Sequence, residues 1–153
     1  MNLKDLFTHL LPTRAVAPGT YTTTPSSTVI DLQGYKGALF LIDVGIGGIT
    51  FTGTNSITFE LQDSPDNSTF TDVDITKVIG ISDTSLTGGV VKSFTAAKAA
   101  ASLNAIGYVG GQRYLKLIAN FNGTHGTGTF VDVKAILGEA AFQPVQARIA
   151  VAN

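Results

Sequence analysis

The strongest signal along the chain is a period of two. From Ser56 to Asp63, the apolar Ile57, Phe59 and Leu61 alternate with Thr58, Glu60 and Gln62, the pattern of a half-buried strand. Tyr114 to Phe121 repeats it, with Leu115, Leu117 and Ala119 on one face, and Thr129 to Leu137 does so again from Phe130 or Val131 onward. Val29, Ile30 and Leu32 predict a first strand. Ala38 to Val44 is almost wholly apolar and predicts a strand central in its sheet. Val90 to Phe94 and Ala105 to Val109 predict two more, and Phe70 and Val73 supply the returning face of a hairpin that opens at Ser56. Turn chemistry separates these runs: Gly34-Tyr35-Lys36-Gly37, Ser64-Pro65-Asp66-Asn67, Gly110-Gly111-Gln112 and the polar loop Asn122 to Gly128. Gly45 to Gly53 reads as a loop with some extended structure, and Asp74 to Thr87 as irregular with a turn around Val78 to Ile81.

The pattern changes at the ends. Leu3, Leu6, Phe7, Leu10 and Leu11 fall at helical spacing and stop at Pro12. So short a helix is marginal in water, so the segment must dock on its own domain or on a neighbour. Thr13 to Ser27 reads as a linker or extended arm, and Thr95 to Leu103 as a helix, a polar β-arm or a loop. Frequent turns and no strong helix predict an all-β chain, a single β-sandwich or jelly-roll-like domain of about seven or eight antiparallel strands. The expected division is an N-terminal arm over 1–20, a β-sandwich over 21–138 and a C-terminal arm over 139–153. Residues 105–137 are expected to form a meander.

Composition sharpens this picture. Ten basic and eleven acidic residues among 153 make 14% charged, against roughly a quarter in an average domain. Such a surface has few charges to keep a free monomer soluble, so part of it is expected to be covered by protein, mainly at the two ends. A net charge of −1 with scattered Lys and Arg offers no basic stripe, and no nucleic-acid partner is expected. No apolar run approaches the ~18 residues of a membrane span, and the interrupted start MNLKDLFTHLLP is not a signal-peptide core. No membrane partner is expected. The absence of cysteine removes thiolate zinc sites and cysteine nucleophiles and fits synthesis in a cytosol.

The candidate chemistry is thin. Asp63, Asp66, Asp72 and Asp74 crowd one hairpin and could offer oxygens to calcium, but the spacing is not an EF-hand and turns favour Asp anyway. His9 and His125 have no partner at metal-ligand spacing, and His125 reads as a polar loop tip. Gly45-Ile46-Gly47-Gly48 lacks the Lys-Ser/Thr of a phosphate loop. Tyr21, Tyr35, Tyr108 and Tyr114 raise a sugar platform, although Tyr108 and Tyr114 read more simply as cross-strand neighbours. Asn67-Ser68-Thr69 and Asn122-Gly123-Thr124 match a glycosylation acceptor by chance. No catalytic, cofactor or metal residues are assigned, and the chain is expected not to be an enzyme.

The hairpin Phe59-Glu60-Leu61-Gln62-Asp63-Ser64-Pro65-Asp66-Asn67-Ser68-Thr69-Phe70-Thr71-Asp72-Val73 resembles a pattern found in small β proteins of tailed-phage virions. The opening Met1-Asn2-Leu3-Lys4-Asp5-Leu6, the stretch Ile30-Asp31-Leu32-Gln33-Gly34-Tyr35 and the stretch Ile106-Gly107-Tyr108-Val109-Gly110-Gly111-Gln112-Arg113-Tyr114-Leu115-Lys116-Leu117 extend the likeness. Together they resemble head decoration, or cement, proteins encoded near the major capsid gene. That resemblance implies a structural virion protein, made in the host cytoplasm, that binds the outer capsid surface and clamps neighbouring major capsid subunits. It implies the major capsid protein and other copies of the chain, often as a trimer, as partners. The residues expected to carry contacts are Leu3, Leu6, Phe7, Leu10 and Leu11 at one end and Phe142, Val145 and Ile149 at the other. Two other readings stand beside it: a tail, neck or baseplate β-protein, and a carbohydrate-binding module for host attachment.

Overall fold

In the computed structural model the residues described are 6, 7, 9–81 and 87–141. They form two antiparallel sheets packed face to face as a β-sandwich, with no α-helix among them. The strands are β1 (Leu11–Tyr21), β2 (Ile30–Asp31), β3 (Gly37–Gly47), β4 (Ser56–Ser64), β5 (Thr71–Asp72), β6 (Val78–Ile79), β7 (Val90–Phe94), β8 (Ser102–Tyr108), β9 (Tyr114–Asn122) and β10 (Thr129–Gly138). Sheet I runs β1-β10-β3-β8-β6, with β3 at its centre, where its apolar run predicts it. Sheet II runs β2-β9-β4, and β5 and β7 share the outer edge of β4. The core lies between the sheets. Phe40, Ile42 and Val44 of β3 and Val131, Val133 and Ala135 of β10 face Ile57, Phe59 and Leu61 of β4 and Leu115, Leu117 and Ala119 of β9, all buried.

Two expectations are corrected. The first is the linker reading of Thr13 to Ser27, and with it the second half of the arm expected over 1–20. Residues Leu11–Tyr21 are β1, paired with β10 from Leu11↔Leu137 to Tyr21↔Thr129. Pro12 and Pro18 obscured this strand, but an edge strand tolerates Pro because one row of its N–H groups has no ladder partner to lose. The register shifts between Arg14 and Gly19, around Pro18, so that proline sits in a bulge. The second is the meander over 105–137. The turns fall where predicted, but β8 and β10 belong to sheet I and both flank β3, while β9 lies in sheet II. Turn residues mark where a chain reverses; they do not say which sheet the next strand joins.

The stretch from Thr95 to Ala101 is a loop, not a helix. Its Lys98 donates to the carbonyls of Val44 at 2.6 Å and Gly45 at 3.1 Å, at the point where β3 and β10 slip register. The ammonium thus ties this loop to the end of β3, and burial lowers its pKa.

The hairpin turn is built by its acids. Asp66 accepts from the amides of Ser68 at 2.9 Å and Thr69 at 3.0 Å and from the Ser64 hydroxyl at 2.9 Å, while Asn67 takes the left-handed conformation at φ 61°. Asp74 caps a 3-10 turn at Ile75–Lys77 by accepting from the Thr76 amide at 2.9 Å. The Thr69 and Ser68 amides hold Asp66 far below the usual carboxylate range, and the Thr76 amide lowers Asp74. A carboxylate depressed on folding stabilises the fold above its unfolded pKa of about 3.9, and that contribution is lost as pH falls through the folded value. Removing these charges in an Asp66→Asn/Asp74→Asn variant should flatten the acid limb of urea stability measured from about pH 4 downward. An unchanged slope would show that these turns do not contribute to it.

Candidate interaction surface

Alternation puts Leu39, Leu41 and Asp43 of β3 on the face of sheet I that points away from the core, because Ala38, Phe40, Ile42 and Val44 point inward. The cross-strand register then builds three rows. Pro12, Ile136, Leu39, Gly107 and Ile79 line up across β1, β10, β3, β8 and β6. Arg14, Lys134, Leu41 and Ala105 form the second row, and Asp132, Asp43 and Leu103 the third. The first row is wholly apolar. Gly107 lacks a side chain, and even an added Cβ would meet Ile79 at an ordinary 3.5 Å. The result is a shallow trough of about 330 Å³ lined by Leu10, Leu39, Val109 and Ile136, among others.

This face is unusually exposed for its chemistry. Ile79 is 59% exposed, Leu103 67%, Val109 53% and Leu39 39%. An antiparallel sheet whose second face meets water normally presents polar residues there. Single exposed hydrophobics are ordinary, but a contiguous apolar patch marks an interaction site. At the far end Asp43 and Asp132 stand directly opposite each other, a repulsive pairing. Lys134 pairs with one Asp132 oxygen. The other, Oδ1, is buried without a hydrogen-bond partner among the described residues.

The expected contact residues fall at the edge of this face or outside what the structure describes. Leu6 and Phe7 are 60% and 67% exposed, beside a turn in which the Leu10 amide bonds the Leu6 carbonyl at 3.2 Å. Leu10 lines the trough. Leu11 opens β1 and packs against the core. Leu3, Phe142, Val145 and Ile149 lie outside the described residues.

The remaining candidates resolve into structural roles. The four aspartates do not converge, and among the described residues no group of three or more His, Asp or Glu could hold a metal. Asp72 accepts from the Gln62 side chain at 3.0 Å. Asp63 is 2% exposed and differs from its neighbours: it accepts from Lys77 Nζ and from the Tyr108 hydroxyl, both at 2.8 Å. Tyr108 is therefore a core residue that joins β8 in one sheet to β4 in the other, not a hairpin neighbour of Tyr114. Its burial pushes its hydroxyl pKa well up, with Asp63 acting in the same direction, so the group stays protonated and donates. His125 is also corrected. It is 1% exposed, packed at a tilt against Phe121 and near Phe51 with centroids at 4.7 and 6.5 Å, and its Nε2 lies 3.0 Å from the Asn122 carbonyl. That contact makes Nε2 the donor. Tyr21 packs edge-on against Phe121 and gives its hydroxyl to the Ala17 carbonyl at 2.8 Å.

Sequence reasoning missed the outer face of sheet I. Its signal was present in Ala38 to Val44: a run apolar at both parities is apolar on both faces of its strand. No protein-family description matches the chain, and no curated protein matches it. Among solved structures the chain is similar to the crystal structure of the SPBc2 prophage-derived protein YomS, at a TM-score of 0.44 and 13% identity, over 84% of this chain and 96% of that one.

Proposed function

We infer that this chain is a non-enzymatic structural virion protein of a tailed phage, one that binds the outer capsid surface and cements neighbouring major capsid subunits. The observation that carries the reading is the apolar outer face of sheet I, in a chain only 14% charged. Such a surface favours a molecule that works while covered. Partners of matching chemistry are capsid subunits and other copies of the chain. A specific contact needs roughly 800 Å² on each side, and contacts repeated over a closed lattice gain strength through avidity. The sequence resemblance to head decoration proteins supplies the particle. The sandwich would pack on the capsid, with the ends reaching neighbouring copies.

The test is occupancy on purified heads. Deleting residues 1–10 removes Leu6, Phe7 and Leu10 and stops short of β1, and Leu39→Glu places a carboxylate in the trough without touching the core. Each should lower occupancy about tenfold or more, the loss expected when about 1.4 kcal/mol of contact energy is removed. Undiminished occupancy in both variants would end the reading. Copy number separates it from its nearest rival: a number matching the capsid lattice supports decoration, and the small number of a ring supports a neck or tail position.

A further inference from the structure

We propose that the outer face of sheet I is a homodimer interface, covered by the same face of a second copy of this chain with the strands of the two copies running antiparallel. The proposal deepens the reading above by naming the cover of that face, and it rests on that reading only for the idea that the face works covered.

The occupant is argued from the order of chemistry along the strands. Leu39 and Ile136 stand side by side in the apolar row. The next row carries the cations Arg14 and Lys134, and the one after it the acids Asp132 and Asp43. The face then ends apolar again. β3 bulges opposite Phe130, where Ile46 is 63% and Phe130 39% exposed. The rows therefore run apolar, basic, acidic, apolar. A copy turned end for end presents that order reversed. Its acids lie over these cations, its cations over these acids, and each apolar end meets the other. A copy laid with its strands parallel puts like charge over like, which is costly. The face is thus complementary to itself in one arrangement, the isologous pairing made by a twofold axis that crosses the strands between the basic and acidic rows.

Side chains and area agree with it. Lys134 pairs with one Asp132 oxygen, and Lys98 stands near Asp43. Arg14 is exposed and has no ion pair among the described residues. In the antiparallel pairing it lies one strand spacing, about 4.8 Å, to the side of Asp132 of the second copy, within the span of its own side chain. Leu103 is 67% exposed and comes over Ala105 of the second copy, whose small side chain leaves room for it. Ile136 comes over Phe130 of the second copy. The long strands β1, β10, β3 and β8, about 4.8 Å apart and about 33 Å long, cover roughly 600 Å² before side-chain relief is counted. β6 and Leu10 widen the face toward the ~800 Å² per side of a specific interface.

Wild-type protein should sediment as a dimer at high micromolar concentration. Asp43→Arg puts a cation over the second copy's cations, and Arg14→Glu puts an acid over its acids; both leave the Lys134–Asp132 pair in place. Each should raise the dimer dissociation constant at least tenfold with the circular dichroism of the sandwich retained. Mixed, the two variants should bind each other more tightly than either binds itself. Direction is read by crosslinking. The chain has no cysteine, and Phe130 and Ile136 lie about 20 Å apart along β10, too far for a short bis-maleimide to join within one molecule. The Phe130→Cys/Ile136→Cys protein should therefore give a covalent dimer, and each single-cysteine protein at least tenfold less. A single-cysteine protein that crosslinks as well as the pair would overturn the antiparallel arrangement, and a dimer indifferent to both charge variants would overturn the interface. A face covered by another segment of the same molecule would show as a monomer at every concentration, and would overturn the proposal too. Monomeric wild-type protein that still fills heads would sink this proposal and leave the capsid reading standing. Dimers with the expected responses that ignore heads would do the reverse.

Discussion

Asp63→Ala should destabilise the domain by about 3 kcal/mol, the largest loss expected from any single polar side chain here. Asp63 is the penultimate residue of β4, on the core-facing side, and is 2% exposed. Its Oδ2 holds two partners at 2.8 Å, the Lys77 ammonium and the Tyr108 hydroxyl, and the Thr71 hydroxyl lies 3.4 Å from Oδ1. Tyr108 in turn accepts from the Gln112 amide at 3.1 Å. One carboxylate thus ties sheet II to β8 of sheet I and to the 3-10 turn, and the tyrosine carries the tie on to the next connection. Removing the acid strands the buried hydroxyl as a donor. Breaking a fully buried ion pair costs about 3–5 kcal/mol. The lower end applies because Lys77 keeps 31% of its side chain in solvent and can turn to water. Asp63→Asn retains an acceptor and should cost about half as much. Tyr108→Phe should cost about 1–2 kcal/mol, since it leaves the Gln112 amide and one carboxylate oxygen without the hydroxyl. The double variant should cost less than the two singles combined, because they remove the same bond. Urea midpoints at neutral pH measure all of these. An Asp63→Ala protein within about 0.5 kcal/mol of wild type would show that the network is incidental.

The same residue shows where sequence reading stopped. Asp63 continues the parity of Ile57, Phe59 and Leu61, so alternation alone places it on the buried face, where a carboxylate must be paired. Beside Ser64-Pro65-Asp66-Asn67 it looked like one more turn residue. Asp66 and Asp74 are turn residues, and there local chemistry was sufficient. β4, β7, β9 and β10 were legible because alternation between clear turns leaves little choice of strand. β1 was not, because Pro12, Pro18 and Gly19 imitate a linker and only an edge position with a bulge reconciles them with a strand. The partition of β8, β9 and β10 between sheets depends on contacts far apart in sequence, which no local pattern encodes. His125 gave no signal at all: a histidine among Gly and Thr reads as a loop tip until Phe51 and Phe121 close around it. The apolar outer face of sheet I was missed: low charge predicts covered surface mainly at the two ends, and although the run in β3 is apolar at both parities, only cross-strand register gathers Pro12, Ile136, Leu39 and Ile79 into one row.

Adjacent positions in β3 should behave in opposite ways. Phe40 is fully buried at the centre of sheet I, level with Ile106 of β8 and Ala135 of β10. Phe40→Ala deletes a ring from a close-packed layer and leaves a cavity that the flanking strands cannot collapse around, since their own ladders hold them apart. The expected cost is about 3–5 kcal/mol, which lowers the melting temperature by roughly 10 °C in a domain of this size. Leu39→Ala removes a side chain from the opposite face, already 39% exposed, and should cost about 0.5 kcal/mol in the isolated molecule. Its effect should appear instead in association, where the trough loses its central wall. Stability and binding therefore separate by parity: Phe40 governs the first and Leu39 the second. Thermal melts of dilute protein, read beside sedimentation at high concentration, distinguish the two. A Leu39→Ala protein that loses several kcal/mol while dilute, or a Phe40→Ala protein that melts like wild type, would mean that the two faces of β3 have been assigned the wrong way round.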